Sequence, residues 1–205
     1  MKHQVKIINL LKIKCIYMSK IKFAVLGCGR IGLKHIDYIQ KNPNAELVAI
    51  IDKNINNINF ENNKFKSLEQ FLSSNIETDI VNIATPNGMH ASDSIKVLNS
   101  NKNVLIEKPM ALIKEDAEKI IKTSIDKNKK VFVVMQNRYS PIINYIKKLI
   151  DNNKLGKIYF LNVNCFWNRD DNYFKSNDWH GKIEQDGGVL YTQFSHFIDT
   201  IYWLF

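Results

Sequence analysis

The chain contains a glycine-rich turn between an apolar run and a helical pattern. The turn follows residues 21–26 and consists of Gly27, Cys28, Gly29, Arg30, Ile31 and Gly32. In a strand–turn–helix unit, the first glycine allows the tight turn and the second lets the backbone approach a pyrophosphate. The third allows close packing of helix on strand, and the helix N-terminus favours negative charge. The turn therefore predicts a dinucleotide-binding fold.

A second apolar run, residues 47–51, ends in Asp52, about twenty residues after Gly32. A carboxylate at this place accepts hydrogen bonds from both hydroxyls of an adenosine ribose and repels a ribose phosphate. NAD is therefore favoured over NADP, although the adjacent Lys53 offsets part of the repulsion. The alternative, a glycine turn and a solvated Asp52 in an ordinary α/β fold, stays open on these residues alone.

Alternating apolar runs and helical patterns predict a Rossmann-type, doubly wound parallel sheet from residue 21 to about 135. The predicted strands lie at 21–26, 47–51, 80–84, 104–106 and 131–134. The predicted helices lie at 68–72 after a capping Ser67, at 90–99, and along an apolar face formed by Ile113, Ala117, Ile120 and Ile121. Residues 53–66 are predicted to be a polar loop. Ligands gather at the carboxyl ends of such strands, where the polar groups are Asp52, Thr85-Pro86-Asn87 and Glu107-Lys108-Pro109.

The pattern changes near residue 138 and predicts the start of an α+β domain. We expect a helix at 141–151, a strand at 158–167, and a last helix after Gly187-Gly188 that includes Phe194, Phe197 and Ile201 as core residues. The expected division is an extension at 1–20, a dinucleotide-binding domain at 21–137 and an incomplete α+β domain at 138–205. We expect Met18 to be the true start, because the preceding apolar residues are too few to cross a bilayer and precede no cleavage site.

Composition narrows the class of protein. The 205 residues are 45% hydrophobic and 24% charged, which is ordinary for a globular protein. The net charge of +9 is scattered and no nucleic-acid-binding motif accompanies it, so we expect neither nucleic acid nor membrane as a partner. The three cysteines, Cys15, Cys28 and Cys165, have no metal or redox spacing. We therefore expect a cytoplasmic protein without a metal, in which Cys28 is a small side chain that fits its turn.

Lys108 is a candidate base at the end of a predicted strand. Oxidation of an alcohol requires a group that takes the hydroxyl proton, and lysine does this poorly at its usual pKa of about 10.4. Burial and a nearby positive charge lower a lysine pKa, whereas Glu107 opposes the change if its carboxylate points inward. On position alone, a surface lysine before a turn proline is equally compatible with the sequence.

His196 is a second candidate for proton transfer. Thr192, His196 and Asp199 are spaced to share one face of the last helix. An imidazole with a pKa of about 6.5 is suited to relaying a proton. The alternative is a core histidine in an aromatic helix.

The other histidines and the arginines leave alternatives open. His35 and His90 lie on predicted helices and are interpreted as structural, whereas His180, next to Trp179, is a candidate substrate contact. Arg138 and Arg169 are candidate anchors for a carboxylate or phosphate, because a guanidinium offers two parallel donors. Each of the two is equally compatible with a surface ion pair.

Together these motifs resemble the Gfo/Idh/MocA family of nicotinamide-dependent sugar oxidoreductases from about residue 21 to 205. The resemblance implies that Lys108 and His196 act at the reacting hydroxyl. It also implies a second domain with an open, mainly antiparallel sheet that contacts substrate and other subunits of a homo-oligomer. The cofactor-binding residues it implies are Gly27, Gly29, Arg30, Ile31, Gly32, Asp52, Thr85, Asn87, His90, Glu107 and Lys108.

Two departures from the family pattern refine the expectation. First, many members have Asp where this chain has Thr192, and a threonine cannot act as a base. Second, the family's chains are usually much longer, so we expect a C-terminal truncation. A subgroup of the family oxidises the C3 hydroxyl of UDP-linked N-acetylamino-sugar uronates in pathways to surface polysaccharides. This chain resembles that subgroup at Thr192-Gln193, at Trp167-Asn168-Arg169-Asp170 and at Trp179-His180-Gly181. The substrate-binding residues expected on this basis are Arg138, Asn164, Trp167, Arg169, Trp179, Thr192 and Gln193. The alternatives are a dehydrogenase of free sugars or inositols, and a non-catalytic NAD-binding scaffold.

Overall fold

The computed structural model describes residues 19–58, 60–61, 63–175 and 177–205, so residues 1–18 of the predicted extension lie outside the described residues. The described chain forms a six-stranded sheet in the order β3-β2-β1-β4-β5-β6, in which all neighbours are parallel. The strands are β1 (Ile21–Leu26), β2 (Ala45–Ile51), β3 (Asn63–Phe65), β4 (Ile80–Ile83), β5 (Asn103–Ile106) and β6 (Val131–Val133). The order reverses between β1 and β4, which confirms the predicted Rossmann-type fold.

Helices connect these strands and form most of the remaining chain. They are α1 (Arg30–Lys41), α2 (Leu68–Leu72), α3 (His90–Asn99), α4 (Lys114–Asp126), α5 (Pro141–Asp151), α6 (Asp171–Lys175), α7 (Ile183–Asp186) and α8 (Ser195–Leu204). Short 3₁₀ turns lie at Ile55–Asn57, Asn87–Met89 and Gln136–Tyr139, and a π-helical turn at Leu190–Phe194 leads into α8. Ser67 caps α2 as predicted, because its hydroxyl oxygen accepts a hydrogen bond from the backbone of Gln70.

The core lies on both faces of the sheet. One layer packs α2, α3 and α4 against the sheet through fully buried side chains such as Phe71, Leu98 and Ile120. The other packs Ile36 and Ile39 of α1 against residues of β1 and β2. Continuous apolar strands with helices on both faces are expected of a buried parallel sheet. Both layers hold the carboxyl ends of β1, β4 and β5 at one edge.

Several local predictions are wrong, and packing explains two of them. Residues 63–65 form β3 within the predicted polar loop; this short polar edge strand carries no apolar alternation that would reveal it. On α4, Ile120 is fully buried, whereas Ile113 before it and Ile121 within it are about half exposed. Because one narrow stripe of α4 faces the sheet, the predicted apolar face is too wide.

The predicted strand at 158–167 is absent from the described residues. Tyr159, Phe160 and Phe166 are more than 80% exposed, and no described segment pairs with their backbone. A strand needs a neighbour to satisfy its N–H and C=O groups, so apolar composition alone does not form one. Phe194 and Phe197 are likewise only partly buried rather than core residues. None of the helices in the described ranges is long and apolar enough to cross a bilayer.

Candidate cofactor and active site

The glycine turn combines two crowded positions with one open position. Gly27 has a φ of +87°, and a Cβ there would lie 2.6 Å from the carbonyl oxygen of Ala84. A Cβ at Gly32 would overlap the carbonyl oxygen of Gly27, whereas a Cβ at Gly29 would meet nothing within 4 Å. Gly29 is the N-cap residue of α1 and supplies no side-chain cap, so the N–H groups of the first turn have no capping side chain from it. This cradle fits the pyrophosphate of NAD.

The remaining residues of the turn are the predicted Arg30 and Ile31. Arg30 is exposed at the start of α1, and Ile31 is partly buried beside it. A cation exposed at this end of the helix is placed where it can meet an anionic ligand. The predicted contacts of Arg30 and Ile31 with the cofactor therefore stay predictions.

Asp52 is fixed at the end of β2 by two backbone donors. One carboxylate oxygen accepts a hydrogen bond from the N–H of Cys28 at 2.8 Å, and the other accepts from the N–H of Asn54 at 2.7 Å. Each oxygen keeps a second lone pair, so the carboxylate can also accept from ribose hydroxyls. Burial, and then the charge of Asp52, raises the pKa of the Cys28 thiol to about 12. Cys28 is therefore protonated at neutral pH, in agreement with its interpretation as a small fitting residue.

The loop after β4 is held by His90 rather than being open to ligand at that residue. The ring nitrogens of His90 lie 2.8 Å from the carbonyl oxygen of Thr85 and 2.7 Å from that of Pro109, and the residue is 1% exposed. The hydroxyl of Thr85 donates to the carboxylate of Asp93 at 2.9 Å. His90 thus joins the loops after β4 and β5, which agrees with its structural interpretation and corrects the direct cofactor contact implied by the resemblance.

Asn87 links the loop after β4 to the second half of the chain. Its side-chain N–H donates to the carbonyl oxygen of Asp186 at 3.0 Å, and both residues are buried. The carboxylate of Asp186 accepts from the backbone N–H groups of Gly181 at 2.8 Å and Gly188 at 3.2 Å. Sequence reasoning missed Asp186, although an acidic residue directly before Gly-Gly is the kind of signal that indicates a turn-stabilising carboxylate.

Lys108 lies at the end of β5 and points towards the turn that precedes α8. Its Nζ donates a hydrogen bond to the carbonyl oxygen of Thr192 at 2.6 Å. Burial lowers the pKa of Lys108 below its usual value, while the negative charges of Glu107 and Asp186 act in the opposite direction. This is the direction expected if Lys108 is buried, with Glu107 opposing the change. The neutral form of the amine is therefore more populated at a given pH than it is for an exposed lysine.

His196 lies within electrostatic reach of Lys108. Burial, and then the positive charge of Lys108, lowers the pKa of His196, whereas Glu107 and Asp199 oppose the change. Its Nδ1 is buried and has no hydrogen-bond partner among the described residues. A neutral imidazole with a free ring nitrogen can exchange a hydrogen bond or a proton with a bound hydroxyl. The structure thus brings the two predicted catalytic residues into one site.

Three of the predicted substrate-binding residues form an exposed cluster. The guanidinium carbon of Arg169 lies 5.2 Å from the ring centroid of Trp167 and 4.7 Å from that of Tyr173. Arg169 donates to the side-chain oxygen of Gln193 at 3.1 Å, and Gln193 donates to the Tyr173 hydroxyl at 2.9 Å. We call Trp167, Arg169, Tyr173 and Gln193 the arginine cluster. Tyr173 was missed by sequence reasoning, because Arg169 lies outside the helix that contains Tyr173 and no helical spacing relates the two.

Two predicted substrate residues are engaged elsewhere. Arg138 forms a two-bond ion pair with Asp199, in which Nε lies 2.9 Å from Oδ2. The ion-pair alternative therefore describes it in this structure, and its contact with an anionic substrate group stays a prediction. The Thr192 side chain is buried and its hydroxyl donates to the carbonyl oxygen of Gly188 at 3.0 Å. Only the backbone of Thr192 reaches Lys108, because the π-helical turn directs its carbonyl towards the amine.

The last two predicted substrate residues lie outside the arginine cluster. The Asn164 side chain is exposed and donates to Asn162 at 3.3 Å. The Trp179 ring packs edge-on against His180 with centroids 4.2 Å apart, and His180 in turn stacks on Tyr173. The predicted contacts of Asn164, Trp179 and His180 with substrate therefore stay predictions.

Comparison with known proteins places this geometry in a family. The Gfo/Idh/MocA model described as "Oxidoreductase family, NAD-binding Rossmann fold" matches residues 21–135, and the model of the "GFO/IDH/MocA C-terminal domain" matches residues 143–205. Among solved structures, the chain is similar to the WlbA dehydrogenase from Bordetella pertussis in complex with NADH and UDP-GlcNAcA. The two are 37% identical with a TM-score of 0.86, over 91% of this chain and 55% of the other.

Curated relatives extend the comparison to other activities. Glucose-6-phosphate 3-dehydrogenase from Bacillus subtilis is 28% identical over 90% of this chain and 53% of its own length. The 2,7-anhydro-N-acetylneuraminate hydratase from Escherichia coli is 29% identical over 83% of this chain and 46% of its own length. The chain thus spans about half the length of the curated relatives it matches.

Proposed function

Because the chain belongs to the Gfo/Idh/MocA family of oxidoreductases and contains its NAD-binding Rossmann domain, we propose that it oxidises a hydroxyl group of a sugar. NAD, when bound, supplies the hydride acceptor for this oxidation. The observation that carries the proposal is that Lys108, at the end of β5, bonds to the carbonyl oxygen of Thr192 and acts electrostatically on His196. The family relation supports NAD as the cofactor, and Lys108 and His196 are the groups proposed to transfer the proton.

Lys108 is the proposed base for the hydroxyl proton. Its lowered pKa increases the fraction of neutral amine, and the hydrogen bond to Thr192 fixes the direction of Nζ. His196, held neutral by burial and by the charge of Lys108, is the proposed group that orients the hydroxyl. A positioned base contributes about 10²- to 10⁴-fold to the rate of such a step.

The proposed substrate is a UDP-linked N-acetylamino-sugar uronate oxidised at C3 in surface polysaccharide biosynthesis. The Bordetella relative, which binds UDP-GlcNAcA, supports this choice. The arginine cluster supports it independently, since an exposed guanidinium between two aromatic rings can pair with a carboxylate or phosphate. We also propose that residues 21–137 bind NAD and that residues 138–205 begin the part that binds substrate and other subunits.

A substrate panel tests the proposal. The chain is mixed with NAD and, separately, with UDP-GlcNAcA, the free uronate or myo-inositol, and the absorbance of reduced nicotinamide is followed. We expect NADH only with UDP-GlcNAcA. Equal rates with the free uronate or myo-inositol contradict the nucleotide-sugar assignment, and NADH binding without NADH formation on any substrate favours a non-catalytic NAD-binding protein.

A variant pair tests the anion anchor. Arg169→Gln is expected to raise the KM for UDP-GlcNAcA about tenfold or more, because it removes a charge-assisted contact. Lys175→Gln is the matched control, since Lys175 is an exposed cation on the neighbouring α6 that pairs with Asp171 of the same helix. A similar KM in both variants removes Arg169 from substrate binding.

A further inference from the structure

The sequence places a carboxylate directly beside the proposed base. Glu107 and Lys108 are adjacent, and an ion pair between them would keep the amine protonated. The structure shows no such pair among the described residues, because Nζ of Lys108 instead donates to the carbonyl oxygen of Thr192. The group that holds the Glu107 carboxylate away from Nζ therefore affects how readily Lys108 can act as a base.

His35 of α1 holds the Glu107 carboxylate. Its Nε2 lies 2.7 Å from Oε1 of Glu107, and both side chains are about 15% exposed. A carboxylate only accepts hydrogen bonds, so Nε2 carries the hydrogen and donates it. The other oxygen, Oε2, accepts from the backbone N–H of Lys108 at 3.2 Å. Each carboxylate oxygen thus has a donor other than the Lys108 ammonium.

We propose that His35 is a positioning residue that clamps Glu107 against α1 and thereby prevents its carboxylate from pairing with the ammonium of Lys108. The clamp joins residues 72 positions apart, on α1 and at the end of β5. Without the donor from His35, the partly buried Oε1 turns to the ammonium of the adjacent Lys108, on which the charge of Glu107 already acts. A buried carboxylate oxygen without a donor is costly. This inference rests on the proposed role of Lys108 as a base.

Other charged or titratable groups around Lys108 act independently of the clamp. Asp186 faces it from α7 and raises its proton affinity, His196 faces it from α8, and His90 lies behind it on α3. None of these is an assigned hydrogen-bond partner of Glu107 in the described chain, so replacing His35 leaves their contacts in place. A change in the pKa of Lys108 after that replacement is therefore attributed to Glu107.

Competitive labelling measures the proton affinity of Lys108 without substrate or turnover. The protein is acylated briefly over a range of pH, and modification of the peptide containing Lys108 is quantified by mass spectrometry. His35→Leu removes the donor, His35→Gln keeps one near the place of Nε2, and Lys34→Leu is a matched control at an exposed position of α1. His35→Met replaces His35→Leu if the latter fails to fold.

We expect His35→Leu to raise the pKa of Lys108, so that its labelling at neutral pH slows roughly 3- to 10-fold, as for a change of half to one pKa unit. His35→Gln and Lys34→Leu are expected to label like the original protein. In a Glu107→Gln background, His35→Leu is expected to have no further effect. An unchanged or faster labelling in His35→Leu, or the same slowing in the Glu107→Gln background, overturns the clamp. Either result leaves the substrate panel unaffected, so the two proposals fail separately.

Discussion

Gly29 and Gly32 show that two glycines of one motif are required for different reasons. A Cβ at Gly32 overlaps the backbone of Gly27, whereas a Cβ at Gly29 enters open space. Gly32→Ala is therefore expected to lower the free energy of unfolding by about 1–3 kcal/mol, the usual cost of overpacking.

Gly29→Ala is expected to leave stability within about 0.5 kcal/mol and to weaken NAD binding about tenfold. Urea unfolding and NADH fluorescence titration measure the two effects, and equal NAD affinity in Gly29→Ala and the original protein contradicts the cradle.

His196 gives stability a pH dependence. Its folded-state pKa lies below the unfolded value of about 6.5, so as the pH falls through that value the unfolded state binds a proton that the folded state does not. The free energy of unfolding is therefore expected to decrease on acidification through this window and to recover above it. Urea unfolding at several pH values should show a shallower decrease for His196→Gln. His90, whose pKa is also lowered by burial, contributes the same background to both proteins; identical slopes argue against a buried neutral His196.

Residues with a local motif were predictable, and residues defined by a distant partner were not. Lys108 follows from its place after a strand, and Asp52 from its spacing to the glycine turn. The role of His35 depends on Glu107, and the engagement of Arg138 depends on Asp199, 61 positions away. One sequence does not indicate which of several distant charges a guanidinium meets, so the anion-anchor interpretation of Arg138 was as compatible with the sequence as the ion pair.

At the scale of elements, Arg138 forms one of the links between α8 and the rest of the chain. The guanidinium comes from the 3₁₀ turn Gln136–Tyr139, and Asp199 on α8 is mostly buried. Arg138→Gln leaves that carboxylate unpaired and is expected to weaken the attachment of α8 by about 1–2 kcal/mol. Hydrogen exchange of the α8 amides should accelerate about 5- to 30-fold relative to Lys154→Gln, an exposed surface control. Equal exchange in both variants means that other contacts hold α8.

Elements with an internal signal were predicted well. Strands β1, β2, β4, β5 and β6 coincide with predicted apolar runs, although Phe132 of the edge strand β6 is 43% exposed. Helix α5 begins at Pro141 and ends at Asp151 as expected. The segment 158–167 has similar composition but no pairing partner among the described residues, and β3 is recognisable only from its pairing with β2. Strand formation depends on a second segment, which composition does not reveal.

At the scale of the whole molecule, strand order explains why the candidate groups meet. The reversal between β1 and β4 opens the sheet edge at which Asp52, the loop after β4 and Lys108 all lie. The second half of the chain then adds Thr192 and His196 to this edge through one hydrogen bond to Lys108 and one between Asn87 and Asp186. We therefore propose that the first half binds the cofactor and that proton transfer takes place where the two halves meet.

Formation of NADH by Lys108→Met, compared with the original protein, is the decisive measurement for the proposed role of Lys108 as the base. Both proteins are mixed with NAD and UDP-GlcNAcA, and reduced nicotinamide is followed by absorbance, while NADH affinity is measured by fluorescence. We predict that Lys108→Met binds NADH normally and forms NADH about 10²- to 10⁴-fold more slowly. Comparable rates in the two proteins, with comparable NADH affinity, contradict the assignment of Lys108 as the base.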